Sequence, residues 1–166
     1  MNELNKSTEV KITILAIGKT NINFVNEGIS EYLKRLKRYV KVEIQIIADV
    51  KNSKNLTAPQ LIQKEEELLL NALSSDSYVV LLDEKGKECT SVELSQFVEG
   101  KMISGTKEVV FVIGGAYGVS NAIKQRANEQ LSMSQLTFSH QMIRLILIEQ
   151  IYRAMTIIRG EPYHHE

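Results

Sequence analysis

The 166-residue chain has no tryptophan, only two prolines and one cysteine, and its 20 basic residues cancel its 20 acidic ones. A lone Cys89 cannot close an internal disulfide, and it lacks the Cys and His companions of a zinc site, so a reducing compartment is expected. The first ten residues, MNELNKSTEV, are polar and mixed in charge. They lack the basic start and apolar centre of a signal peptide, which points to a cytoplasmic protein. The longest apolar runs fall far short of the roughly 20 residues that span a bilayer, so no membrane partner is expected. With no net charge the molecule exerts no overall pull on a polyanion, and any nucleic acid must be held by a local patch.

Hydrophobic residues make up 43% and charged residues 24%, the ordinary balance of a globular protein of one core. Residues 1–9 read as a flexible extension, and 10–166 as a single domain. Val10 to Ile17 is a buried strand ending at Gly18. Val25, Ile29, Tyr32, Leu33, Leu36 and Tyr39 then recur at helical spacing, with Lys34, Arg35, Lys37 and Arg38 on the opposite side. Val42, Ile44 and Ile46 alternate as a second strand. Thr57 caps a helix to about Leu73, with Pro59 in its first turn. Tyr78 to Leu82 is a third strand, closed by a turn at Asp83 to Gly86, and Ser91 caps a helix to about Ile103. Val109 to Ile113 is the fourth strand. This alternation predicts an α/β fold, with a mostly parallel sheet and helices on both faces. The last helix, Gln141 to Arg159, is apolar nearly all round and so needs cover on more than one side; a homodimer through it is expected.

The last third carries the chemistry. Gly114, Gly115 and Gly118 follow the fourth strand; they fit a tight turn, or a backbone that a phosphate or cofactor approaches closely. A dinucleotide fingerprint fits poorly, because Ala116 stands where its second glycine belongs. Gly18-Lys19-Thr20 mimics the end of a P-loop, but Thr13 replaces the required glycine. Met133 to Phe138, MSQLTF, is rich in small polar groups and carries no acid, which suits main-chain recognition of an adenine ring or an ordinary strand and turn. His140, Arg144 and Arg153 lie on or beside the apolar helix, and Tyr163, His164 and His165 close the chain. Arginines can hold phosphates, and a histidine or tyrosine can stack on a base or assist proton removal. The bland alternatives are a capping histidine, ion pairs with Glu149 and a loose tail. Lys34, Arg35, Lys37, Arg38 and Lys41 are either a solvated helix face or an electrostatic grip on RNA. No carboxylate or cysteine pattern accompanies the terminal histidines, so no metal is expected.

KITILAIGK (Lys11 to Lys19), EYLKR (Glu31 to Arg35), VVLLDEKGK (Val79 to Lys87), FVIGGAYG (Phe111 to Gly118), LSMSQLTFSHQMIRLILIEQIYRA (Leu131 to Ala154) and PYH (Pro162 to His164) stand in a specific order. In these the chain resembles the RlmH family of ribosomal RNA methyltransferases, of the SPOUT class. The resemblance implies a C-terminal trefoil knot and an S-adenosylmethionine pocket made by Leu82, Gly114, Met133, Ser134, Gln135, Leu136, Thr137 and Phe138. It also implies a homodimer and methylation of nitrogen 3 of a pseudouridine in 23S-type large-subunit ribosomal RNA, on ribosomes. His140, Arg144 and Arg153 are the catalytic candidates and Glu149 a possible base. Lys34, Arg35, Arg38, Tyr163 and His164 are the RNA-binding candidates. Ser139 stands where many relatives have proline. A knotted transfer RNA methyltransferase and a non-catalytic ribosome-binding dimer are the alternatives.

Overall fold

A computed structural model of the chain describes residues 9–165. Nearly all of the expected N-terminal extension, residues 1–8, lies outside the described residues. Strands and helices alternate: β1 (Lys11–Ile17), α1 (Asn23–Leu36), β2 (Lys41–Ile47), α2 (Ala58–Ala72), β3 (Tyr78–Glu88), α3 (Ser91–Ile103), β4 (Glu108–Ile113), α4 (Asn121–Arg126), β5 (Glu129–Ser132) and α5 (Met142–Ile158). The strands form one sheet in the order β2-β1-β4-β3-β5, and every neighbouring pair is parallel. The expected α/β architecture is therefore present.

The central strands are apolar on both faces because both faces are covered. Ile12, Ile14, Ala16, Val80 and Phe111 join a core with Val25 and Ile29 of α1, Val98 of α3 and Leu147, Ile148 and Ile151 of α5. Leu15, Ile17, Leu81, Val110 and Val112 point the other way, to Leu69 of α2 and Ile123 of α4. Edge strand β2 is half-exposed along its length, which is why its sequence alternates.

Two boundaries differ from the sequence reading. Thr90, not Ser91, caps α3: its hydroxyl accepts the Glu93 N–H and the Glu93 side chain accepts the Thr90 N–H. That reciprocal pair needs the acid three residues beyond the cap, and Glu93 stands at that distance from Thr90. β3 also continues past the turn at Asp83 to Gly86, since the chain bulges out and rejoins β5, so that both Leu82 and Lys87 pair with Leu131. Gly86 permits this return, because a Cβ there would sit 2.7 Å from the backbone of Gln130 and Leu131. β5 itself, only Glu129–Ser132, is too short for a period to show.

No residue of α5 is exposed. Its cover comes from the sheet beneath and from α1 and α3, which pack along its two flanks. The stripe left half-exposed runs Ile146, Glu149, Gln150, Arg153, Ile157. Much of the burial that suggested a second subunit is thus supplied within the chain. Among the described residues, no helix is long and apolar enough to cross a membrane.

Candidate active site

The pairing of β3 with both neighbours sets Ile113, Leu82 and Leu131 side by side, at the carboxyl ends of β4 and β5 and at the point where β3 leaves β4 and bulges. Open parallel sheets bind ligands beyond that edge. Here a cavity of about 590 Å³ opens over these three residues, large enough for a ligand of nucleoside size. Three stretches of chain build its walls: Gly114 to Val119 after β4, Asp83 to Lys85 in the bulge of β3, and the residues from Met133 to His140 other than Gln135 after β5. Of the residues expected to hold a cofactor, Leu82, Gly114, Met133, Ser134, Leu136, Thr137 and Phe138 line the cavity, and Gln135 does not.

The glycine loop is shaped by its own packing. A side chain at Gly114 would meet Val119 Cγ1 at 2.6 Å, and one at Gly115 would meet the Glu65 carboxylate at 2.6 Å. Gly118 has φ of +87°, and its N–H donates to the Gly115 carbonyl at 3.1 Å. The tight-turn reading of these glycines therefore holds, and the turn also leaves main chain facing the cavity. Opposite, the Ser132 hydroxyl donates to the Ser134 carbonyl at 3.0 Å, and the Ser134 hydroxyl accepts the Leu136 N–H at 3.0 Å. Ser139 accepts the Met142 N–H at 3.1 Å, taking up a free donor at the start of α5. Around the mouth, Tyr117, Leu136 and Phe138 are exposed.

The catalytic candidates are not brought together. His140 lines the cavity. Arg144 is fully buried and does not reach it. Its guanidinium donates to the carbonyls of His140, Ile17 and Gly18 at 3.0, 2.7 and 2.7 Å, and to the Thr20 hydroxyl at 3.0 Å. Arg144 thus ties the end of β1 to the start of α5. Burial pushes its pKa down, with the charge of Asp49 acting against that. Arg153 stands ten residues beyond cavity-lining Ile143, roughly 15 Å along the helix.

A family model described as "Predicted SPOUT methyltransferase" matches residues 10–164. The chain belongs to the SPOUT methyltransferase family. Within it, the chain is 54% identical to a protein of Parabacteroides distasonis over 157 residues, 95% of this chain and 100% of that one. It is 49% identical, over the same shares, to proteins of Bacteroides thetaiotaomicron and Flavobacterium johnsoniae. All three are called ribosomal RNA large subunit methyltransferase H. Among solved structures, a transfer RNA methyltransferase from Aquifex aeolicus superposes with a TM-score of 0.55 at 16% identity, covering 95% of this chain and 75% of that one. A probable methyltransferase from Bordetella pertussis Tohama I gives 0.54 at 10% identity, covering 89% and 94%. These likenesses concern the fold.

The remaining candidates of this SPOUT chain gather elsewhere, where α1, α5 and the C-terminus meet. Glu149 accepts hydrogen bonds from Arg153, from Tyr163 at 3.1 Å and from Gln150 at 2.8 Å. The Tyr163 hydroxyl lies 3.1 Å from that of Tyr32, and the Arg153 guanidinium stacks 4.8 Å from the Tyr163 ring centre. Burial, then the contacts with Tyr32 and Glu149, push the Tyr163 pKa up. His164 Nδ1 is 3.5 Å from Arg153. Of the basic run, Arg35 pairs with Glu31, Arg38 with Glu161 and Lys41 with Glu43. Lys34 and Lys37 are exposed. Sequence reasoning missed Asp83, Tyr117 and Lys124 in the cavity wall. Asp83 was legible as the neighbour of Leu82, whereas Lys124 has no local signal.

Proposed function

We propose that the chain transfers the methyl group of S-adenosylmethionine to nitrogen 3 of a pseudouridine in 23S-type large-subunit ribosomal RNA, acting on ribosomes in the cytoplasm. The observation that carries this reading is the cavity at the carboxyl ends of β4 and β5 and the bulge of β3, walled by the main chain of Gly114 and the Met133 to Phe138 loop. Its fit to the donor rests on three features. Apolar floor residues suit an adenine ring, main-chain groups of the walls suit its edge, and the volume matches a nucleoside. The names carried by relatives of about half identity favour large-subunit ribosomal RNA; the pseudouridine and its nitrogen 3 are what the family resemblance implies.

When bound, the sulfonium supplies an activated methyl group, so the chain has to align the donor and the acceptor nitrogen. That nitrogen is an imide whose proton must leave before or during attack. His140 is the candidate on the cavity wall, and we assign it to hold or take that proton. Arg144 is a positioning residue: by fastening α5 to the end of β1 it sets where His140 stands. Arg153, far along α5, and Tyr163 and His164, beyond its end and packed against Arg153, lie away from their own cavity. We infer that they serve the cavity of a second subunit in a homodimer, gripping RNA with Lys34, Arg35 and Arg38. The trefoil knot implied by family membership belongs to the same reading.

The test is incubation with labelled S-adenosylmethionine and ribosomes from a strain lacking the gene, followed by mass mapping of nucleosides. Methyl transfer to a large-subunit pseudouridine supports the proposal. Transfer to isolated transfer RNA instead, or RNA binding with no calorimetric signal for the donor, overturns it.

A further inference from the structure

We propose that Asp83 and Lys124 form the subsite for the amino-acid end of the methyl donor, Lys124 taking its carboxylate and Asp83 its ammonium. The assignment rests on the reading of the cavity as the S-adenosylmethionine site. Both residues line the cavity, and they approach it from different elements: Asp83 directly follows Leu82 in β3, and Lys124 projects from α4. Asp83 Oδ2 lies 3.5 Å from Lys124 Nζ. The other oxygen, Oδ1, accepts the Lys85 N–H at 2.9 Å, which fixes the carboxylate in the wall.

The Asp83 side chain is 12% exposed and that of Lys124 is 37% exposed. One partner is therefore held by the turn, and the other is free to swing. Glu84 and Lys85 also border the cavity, but both are exposed, and Asp83 is the more buried acid. The floor of Ile113, Leu82 and Leu131 carries no charge. A ligand with a neutral nucleoside at one end and a zwitterion at the other needs an anion and a cation together at one end of its site, and Asp83 with Lys124 supplies them. The two groups meet at 3.5 Å with Lys124 partly exposed, and a zwitterion inserting between them keeps both charges paired.

Binding of S-adenosylmethionine and of its decarboxylated form, which keeps sulfonium and amine, distinguishes this arrangement. By calorimetry the unaltered protein is expected to bind the complete donor about tenfold or more tighter, the value of one charge-assisted hydrogen bond. Lys124→Met removes that preference and leaves the affinity for the decarboxylated form unchanged, which also shows that the variant is folded. Asp83→Asn weakens both ligands. A Lys124→Met protein that keeps the preference, or an unaltered protein without one, overturns the subsite. An unaltered protein that binds neither ligand overturns the reading of the cavity itself.

Discussion

Arg144 is fully buried, and a charge in that position persists only because its donors are taken up by Ile17, Gly18, His140 and Thr20. Arg144→Met leaves those acceptors unpaired, and a loss of about 3–5 kcal/mol is expected by urea unfolding. Arg144→Lys also fails, since an ammonium cannot reach acceptors spread around a planar fork. Glu65 is the opposite case, a buried acid against Gly115. Burial, then the charge of Asp49, raises its pKa. In the window above the ordinary carboxylate value the folded state therefore holds more protons than the unfolded one, and stability falls as pH rises. Glu65→Gln is expected to flatten that decline and to stabilise the protein at neutral pH by on the order of 1 kcal/mol. Thermal melts of both proteins from pH 4 to 7 measure it; a Tm difference independent of pH counts against this account. At Gly114 the neighbour of an added methyl is Val119 of its own loop. Gly114→Ala should displace the wall and cut donor affinity at least tenfold.

At the scale of elements, α1, α2, α3, α5 and the fully covered strands were legible in the sequence because periodicity and apolar runs are local, although the cap of α3 was read one residue late, at Ser91. Thr57 and Thr90 each complete a reciprocal cap. Thr90→Ala should cost about 1 kcal/mol. The return of β3 beyond Asp83 and the short β5 were not legible, because they depend on Gly86 meeting a backbone that lies far along the chain. The same limit applies to the site. Glycines and a polar loop announce that main chain is bare, but only the strand order brings Leu82 between Ile113 and Leu131. Arg144 and Arg153 look alike on one apolar helix. One lies at its buried start against β1, and the other joins Glu149 and Tyr163 at the half-exposed stripe. No spacing separates those fates.

For the whole molecule, the distance between the cavity and the Arg153 cluster is the main constraint. A single chain places its cavity and its basic, tyrosine-rich surface apart along α5, so the proposal requires two copies. Arg153→Met should therefore leave donor affinity within about twofold while lowering methylation of ribosomes at least tenfold, and mixing it with a His140→Ala protein should restore part of the activity. The most direct test of the central claim is calorimetric titration of S-adenosylmethionine into the purified protein and its Gly114→Ala variant. The account predicts saturable binding that the variant loses; binding equal in both proteins, or none in the unaltered one, contradicts it.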